Sequence, residues 1–149
     1  MTVRDIRLDD MQATVAVGRR IAAALRTGDA LLLSGDLGAG KTELARAIIR
    51  ARAGQAIDVP SPTFNLVIPY AFHDLLITHL DLYRLSTPDD VLELGFFDAL
   101  DDGAVIVEWP DRLGDLTPAD AVSIAIDQDA GGRLARISGP AANVERLLG

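Results

Sequence analysis

Cysteine is absent from this chain, and lysine occurs once. Without cysteine there can be no disulfide and no thiolate metal site, the pattern expected of a cytoplasmic protein. No apolar run approaches the length of a membrane span, and Asp5, Asp9 and Asp10 interrupt the basic start and apolar stretch that a signal peptide needs. Positive charge is scarce overall, leaving a formal net charge of −8. Phosphate neutralisation supplies most non-specific nucleic-acid affinity, so so acidic a chain is a poor stand-alone binder of RNA or DNA. Any role on a nucleic acid is expected to run through another protein. What is present is a chain of 149 residues, 49% of them hydrophobic, enough for one domain with a continuous core.

The one lysine, Lys41, stands against thirteen arginines. It belongs to Gly35-Asp36-Leu37-Gly38-Ala39-Gly40-Lys41-Thr42, which fits the Walker A pattern G-x-x-x-x-G-K-[ST] at every required position. A compact ammonium on a flexible stem can reach between phosphates, where a guanidinium fork is too wide and flat. The flanks agree. Ala30-Leu31-Leu32-Leu33-Ser34 is a short apolar run suited to a buried parallel strand. The residues after the loop are mostly helix formers, with Leu44, Ala47 and Ile48 on one face. Strand, glycine loop and helix is the arrangement that lets backbone N–H groups and a helix N-terminus meet phosphate oxygens.

Elsewhere the pattern predicts an edge strand over residues 2–7 and a helix capped by Asp9 or Asp10 and running to Leu25. A helix over 41–52 should stop at Gly54. Runs 64–70 and 75–83 read as arms of an antiparallel hairpin, and 120–127 with 133–138 as a second. Thr87-Pro88-Asp89-Asp90 reads as a helix start, followed by a short helix over 96–100, a buried strand over 104–107 and a C-terminal helix over 141–148. The expected fold is α/β: one P-loop NTPase-like domain over residues 1–149, a mixed β-sheet flanked by helices with two antiparallel hairpins.

A phosphate loop works with a metal, and the metal takes oxygen ligands. The Thr42 hydroxyl is the first candidate. The second should be an acid at the end of a strand beside the loop's own strand. Asp81 and Glu108 both qualify, and Glu108 is favoured because it follows four uninterrupted apolar residues and Trp109-Pro110 ends the strand directly after it. Structural readings stand beside several functional ones. Tyr83 and Phe64 read as packing residues, and His79 reads equally as a hydrogen-bonded structural histidine or a functional one. Arg84 is a candidate ion-pair partner for Asp81. Arg46 and Arg50 suggest a solvated basic stripe, and the acids of 98–102 a solvated loop.

Four segments together resemble the TsaE (YjeE) family: SGDLGAGKT at 34–42, SPTFNLVIPY at 61–70, HLDLYRL at 79–85 and VEWPDRL at 107–113. Thr14 with Val17-Gly18, and Gly132-Arg133, are weaker matches. Asn65 stands where threonine is usual, and Asp111 replaces a longer residue. The resemblance implies an ATPase of bacterial tRNA threonylcarbamoyladenosine synthesis, using ATP and Mg²⁺ and serving a TsaB–TsaD complex, with tRNA met only indirectly. It implies that Gly38, Ala39, Gly40, Lys41 and Thr42 hold the triphosphate, with Thr42 and Glu108 on the metal. Residues 61–64 would form a switch-like loop near the γ-phosphate. Asp81 would be an acid needed for hydrolysis, polarising water or serving the metal's outer shell. Thr14 would lie near the base or sugar, and Arg133 near the nucleotide.

Two rivals use the same loop. A small-molecule kinase would bring an arginine-rich lid, yet residues 114–132 contain no arginine or lysine. A nucleotide-gated binding module would hydrolyse negligibly, and Asp81 and Glu108 weigh against it. A guanine-reading N-K-x-D motif cannot be built from a single lysine.

Overall fold

In the computed structural model, residues 1–36, 38–63 and 65–149 are described. Leu37, a variable position of the phosphate loop, and Phe64, the end of the switch-like segment and a packing candidate, lie outside the described residues.

The most apolar runs form the middle of a seven-stranded sheet of order β1-β7-β6-β2-β5-β4-β3. β2 (Ala30–Ser34) lies between β6 (Val122–Asp129) and β5 (Ala104–Glu108), with β4 (Leu76–Asp81) beyond β5. All of these neighbours pair in parallel. Parallel strands covered on both faces are near-continuous apolar runs, which is why β2 and β5 show no polar alternation. The two expected hairpins flank this centre. β3 (Val67–Ala71) pairs antiparallel with β4, and β7 (Gly132–Gly139) with β6; β1 (Thr2–Arg7) adds an edge along β7. The turn of the second hairpin is Ala130-Gly131, both at positive φ (48° and 81°), the backbone a two-residue loop needs to match strand twist.

Alternate strand residues divide the core in two. Leu31, Leu33 and Ile106 pack with α1 (Met11–Ala24), α2 (Lys41–Ala53) and α5 (Ala141–Leu148). On the other face, Leu32, Val105 and Val107 meet Val91 of α3 (Pro88–Glu93), Phe96 of α4 (Phe96–Asp102) and Leu113 of a 3-10 segment, Pro110–Leu116. Helices α1, α2 and α3 carry the end signals the sequence suggests. The Asp10 carboxylate accepts from the Ala13 N–H, Thr87 and Asp90 form a capping box, and Gly54 ends α2 in the left-handed conformation.

α1 and α2 touch closely at Gly18, where an added Cβ would lie 2.7 Å from Ala47 Cβ. Gly18→Leu should therefore lower stability by about 1–3 kcal/mol through overpacking, read as a fall in the urea midpoint with an unchanged slope.

Three details differ from the sequence expectation. The first hairpin is shorter than its apolar runs, because β4 ends where the Asp81 carboxylate accepts the Tyr83 N–H at 2.9 Å, leaving Tyr83 outside the strand. The acids Asp98, Asp101 and Asp102 are exposed as expected but sit on helix α4, which continues past Leu100. The 3-10 segment was not expected; its left-handed Gly114 (φ 53°) breaks helical periodicity. Residues 114–132 form the end of that segment, a connection, β6 and the turn into β7, so β6 takes up much of the stretch where a lid could lie.

Candidate nucleotide site

Every chemistry-bearing residue favoured from sequence except Thr14 gathers at the carboxyl ends of β2, β5 and β4, where open α/β sheets bind ligands. Register explains the gathering. Leu33 of β2 is opposite Glu108 of β5, and Glu108 is opposite Asp81 of β4. The period-two pleat then sends Glu108, Asp81 and His79 to the α2 side of the sheet, with Ile106 and Ile77. Of the two acids, only Glu108 stands on a strand adjacent to β2, as the sequence argument for it required.

The loop after β2 delivers Lys41 and Thr42 as the first residues of α2. Gly40 precedes them at φ 111°, and an added Cβ there would meet Arg133 Nη1 at 2.8 Å. Arg133 thus reaches from β7 across the loop, and its Nη2 donates to the Gly38 carbonyl at 3.4 Å. Ala39 is buried, and its N–H donates to the Asp36 carbonyl at 3.0 Å.

Lys41 is only 5% exposed. Its ammonium donates to the carbonyls of Gly35 (2.6 Å) and Asp36 (2.9 Å) and lies 4.1 Å from the centre of the Trp109 ring. Burial pushes its pKa below the ordinary lysine value, while Glu108, Asp81 and Asp36 pull the other way. Trp109 adopts φ 59°, a left-handed conformation that costs a non-glycine residue roughly 1–2 kcal/mol. In this position its ring also packs on Tyr83, centroids 4.9 Å apart.

Beside the lysine, the Thr42 hydroxyl donates to Glu108 Oε1 at 2.8 Å, and the other oxygen of Glu108 meets His79 Nε2 at 2.7 Å. Asp81, also buried, accepts from the Thr63 hydroxyl at 3.3 Å, and Thr63 in turn pairs with Ser61 at 2.7 Å. The segment matching the switch-like loop is therefore tied to Asp81 by side chains. Lys41, Thr42, Ser61, Thr63, Asp81 and Glu108 line a cleft of about 270 Å³, with His79 buried beneath it. Hard oxygen donors beside an ammonium suit Mg²⁺. Among the described residues there is no group of three or more His, Cys, Asp or Glu that could hold a metal ion.

Thr14 is buried in α1 with its hydroxyl 3.5 Å from the Asp10 carbonyl, and it is not among the residues lining the cleft. A larger groove of about 800 Å³ runs between α1 and α2, lined by alanines and arginines, but Lys41, Thr42, Asp81 and Glu108 are in the smaller cleft. Arg46 and Arg50 line this groove and are more than a solvated stripe. Their Nε groups donate to the carbonyls of Val59 (2.7 Å) and Ile57 (3.0 Å), holding the chain that leads into Ser61. Sequence reasoning did not find the Lys41–Trp109 contact or the Ser61–Thr63–Asp81 chain. The i, i+2 spacing of His79 and Asp81 was the one available sign that they share a face.

Trp109 should report on this cleft. Adding ADP or ATP is expected to change its emission, because a phosphate drawing Lys41 away alters the cation against the ring. The same titration on Lys41→Ala should give no change, and a signal that survives the substitution would separate Trp109 from the phosphate loop.

A mixed sheet with a parallel centre, a glycine loop between its central strand and a helix, and an acid ending the neighbouring strand define a P-loop NTPase-like fold. The chain belongs to the TsaE family: the model for the threonylcarbamoyl adenosine biosynthesis protein TsaE matches residues 8–136. A tRNA threonylcarbamoyladenosine biosynthesis protein TsaE from Rickettsia felis is 36% identical over 120 residues, covering 80% of this chain and 70% of that one. The protein of the same name from Synechocystis is 39% identical over 116 residues, covering 73% and 71%. A crystal structure of Bacillus subtilis YdiB superposes with a TM-score of 0.79 at 25% identity, covering 98% of this chain and 91% of that one. Among the described residues, no helix is long and apolar enough to cross a membrane.

Proposed function

We propose that this protein is a Mg²⁺-dependent ATPase that supports a TsaB–TsaD complex in the threonylcarbamoyladenosine modification of tRNA. The observation that carries the reading is the chain of contacts in one cleft: Lys41 beside Thr42, Thr42 on Glu108, and Asp81 tied to Thr63 and Ser61. Names of the relatives point to the pathway, and the acidic net charge favours working through a protein complex rather than directly on tRNA.

In this reading Gly38, Ala39 and Gly40 present backbone to the phosphates, and Lys41 exchanges its loop carbonyls for phosphate oxygens. Thr42 and Glu108 would hold the metal, the Thr42 O–H still donating to the Glu108 carboxylate. Bound Mg²⁺ would polarise the phosphoryl oxygens. Asp81 orients the attacking water, and its bond to Thr63 makes that task depend on how the 61–64 segment sits. Arg133 closes over the loop near the nucleotide, and Thr14 lies towards its base or sugar. Nothing in this cycle needs a membrane, and the cytoplasm is the compartment proposed.

The test is ATP hydrolysis by the protein alone and with purified TsaB, TsaD and tRNA. Slow hydrolysis alone and faster turnover in the mixture is the expected result. Tight nucleotide binding without hydrolysis in either condition would leave a nucleotide-gated module instead.

A further inference from the structure

His79 lies two residues before Asp81 on β4 and is completely buried. Its Nε2 is 2.7 Å from Glu108 Oε2, and its Nδ1 is buried with no hydrogen-bond partner among the described residues. Those contacts select the tautomer. A proton on Nδ1 would be a buried N–H without an acceptor, whereas a bare Nδ1 leaves only a lone pair unused. Nε2 therefore carries the proton and donates it to Glu108.

Thr42 donates to the other oxygen of the same carboxylate. Glu108 is thus gripped by one donor on each oxygen, with a second lone pair on each left over. A residue present only for packing would not be built this way. Ile77, Leu80 and Ile106 around position 79 are apolar and fully buried, and a leucine there would leave no ring nitrogen unpaired. The unpaired nitrogen is tolerated in exchange for a rigid donor on Glu108.

We propose that His79 is a positioning residue that fixes the Glu108 carboxylate for magnesium–nucleotide binding. The inference rests on reading Glu108 as the metal-side acid. Outer-shell partners that orient a metal ligand change metal affinity by about 10–100-fold when removed.

Calorimetric titration with ADP, once with saturating Mg²⁺ and once with EDTA, measures the gain in affinity that the metal supplies. His79→Leu should lose about ten-fold or more of that gain and leave the EDTA affinity unchanged. His79→Gln, whose amide can stand in for the Nε2 donor, should keep it; His79→Asn, too short to reach Glu108, should lose it. This amide pair carries the test if the leucine variant does not fold. Glu108→Gln should lose the gain, and adding His79→Leu to it should change nothing more. Equal losses with Mg²⁺ and EDTA, or additive losses in the double variant, would make His79 merely structural and overturn the proposal. If Glu108→Gln loses the gain and His79→Leu keeps it, the His79 proposal alone falls. If Glu108→Gln keeps the gain, the assignment of Glu108 to the metal is wrong and the proposal falls with it.

Discussion

Lys41→Ala is expected to abolish tight ATP binding while the protein stays folded. The ammonium is the only lysine charge in the molecule and sits at the head of α2, between the loop carbonyls of Gly35 and Asp36 and the ring of Trp109. In the free protein that arrangement is an expensive place for a cation, since burial already pushes its pKa down. Removing it relieves desolvation while losing two hydrogen bonds, so the effect on folding should be small. Binding is different, because a charge-assisted contact to phosphate is worth about 1.5–3 kcal/mol, on the order of ten- to a hundred-fold in affinity. Lys41→Arg should fail as well. The pocket is walled by Trp109 and by two carbonyls that hold a compact ammonium, and a flat fork does not enter it. Calorimetric titration with ATP and thermal unfolding of both variants check the two halves of the claim. An arginine variant that bound ATP as tightly as the parent would defeat the argument from the lone lysine.

Much of this site was legible in the sequence because its parts are local. A glycine loop between an apolar run and a helix has one geometry available to it, and the acid after Val105-Ile106-Val107 had to end a buried strand. What places Glu108 rather than Asp81 beside β2 is strand order, a non-local property set by which runs pair. Sequence periodicity does not encode it directly. The same limit hides the partners of two arginines. Arg46 and Arg50 are one turn apart on α2, which looks like a solvated stripe until the 55–60 chain folds back to offer its carbonyls. The end of the first hairpin was misjudged for a smaller reason: Leu82 and Tyr83 continue the apolar run, but the Asp81 side chain captures the next backbone N–H but one and turns the chain.

Asp81→Asn and Glu108→Ala should separate turnover from metal-assisted binding. Both acids are buried at opposed positions of neighbouring strands, so either could have served the metal on position alone. Their partners divide them. Glu108 holds the Thr42 hydroxyl, the group next to the phosphate lysine, and so belongs to the binding of metal and nucleotide together. Asp81 holds Thr63 and the Tyr83 N–H, and so belongs to the segment that would meet the terminal phosphate. An asparagine at 81 keeps the shape, its Oδ1 still accepting from the Tyr83 N–H and its Nδ2 donating to the Thr63 hydroxyl in a reversed bond, but it removes the charge that orients water. Its nucleotide affinity should stay near that of the parent, while hydrolysis falls by about 10²–10⁴-fold, the usual effect of losing a general acid–base group. Alanine at 108 should instead weaken binding with Mg²⁺ far more than binding in EDTA, with turnover lost in proportion. Titrations and hydrolysis rates on the two variants decide it. Equal losses of affinity in both would mean that the two carboxylates act as one structural unit beneath the loop, and the division of labour between them would have to be given up.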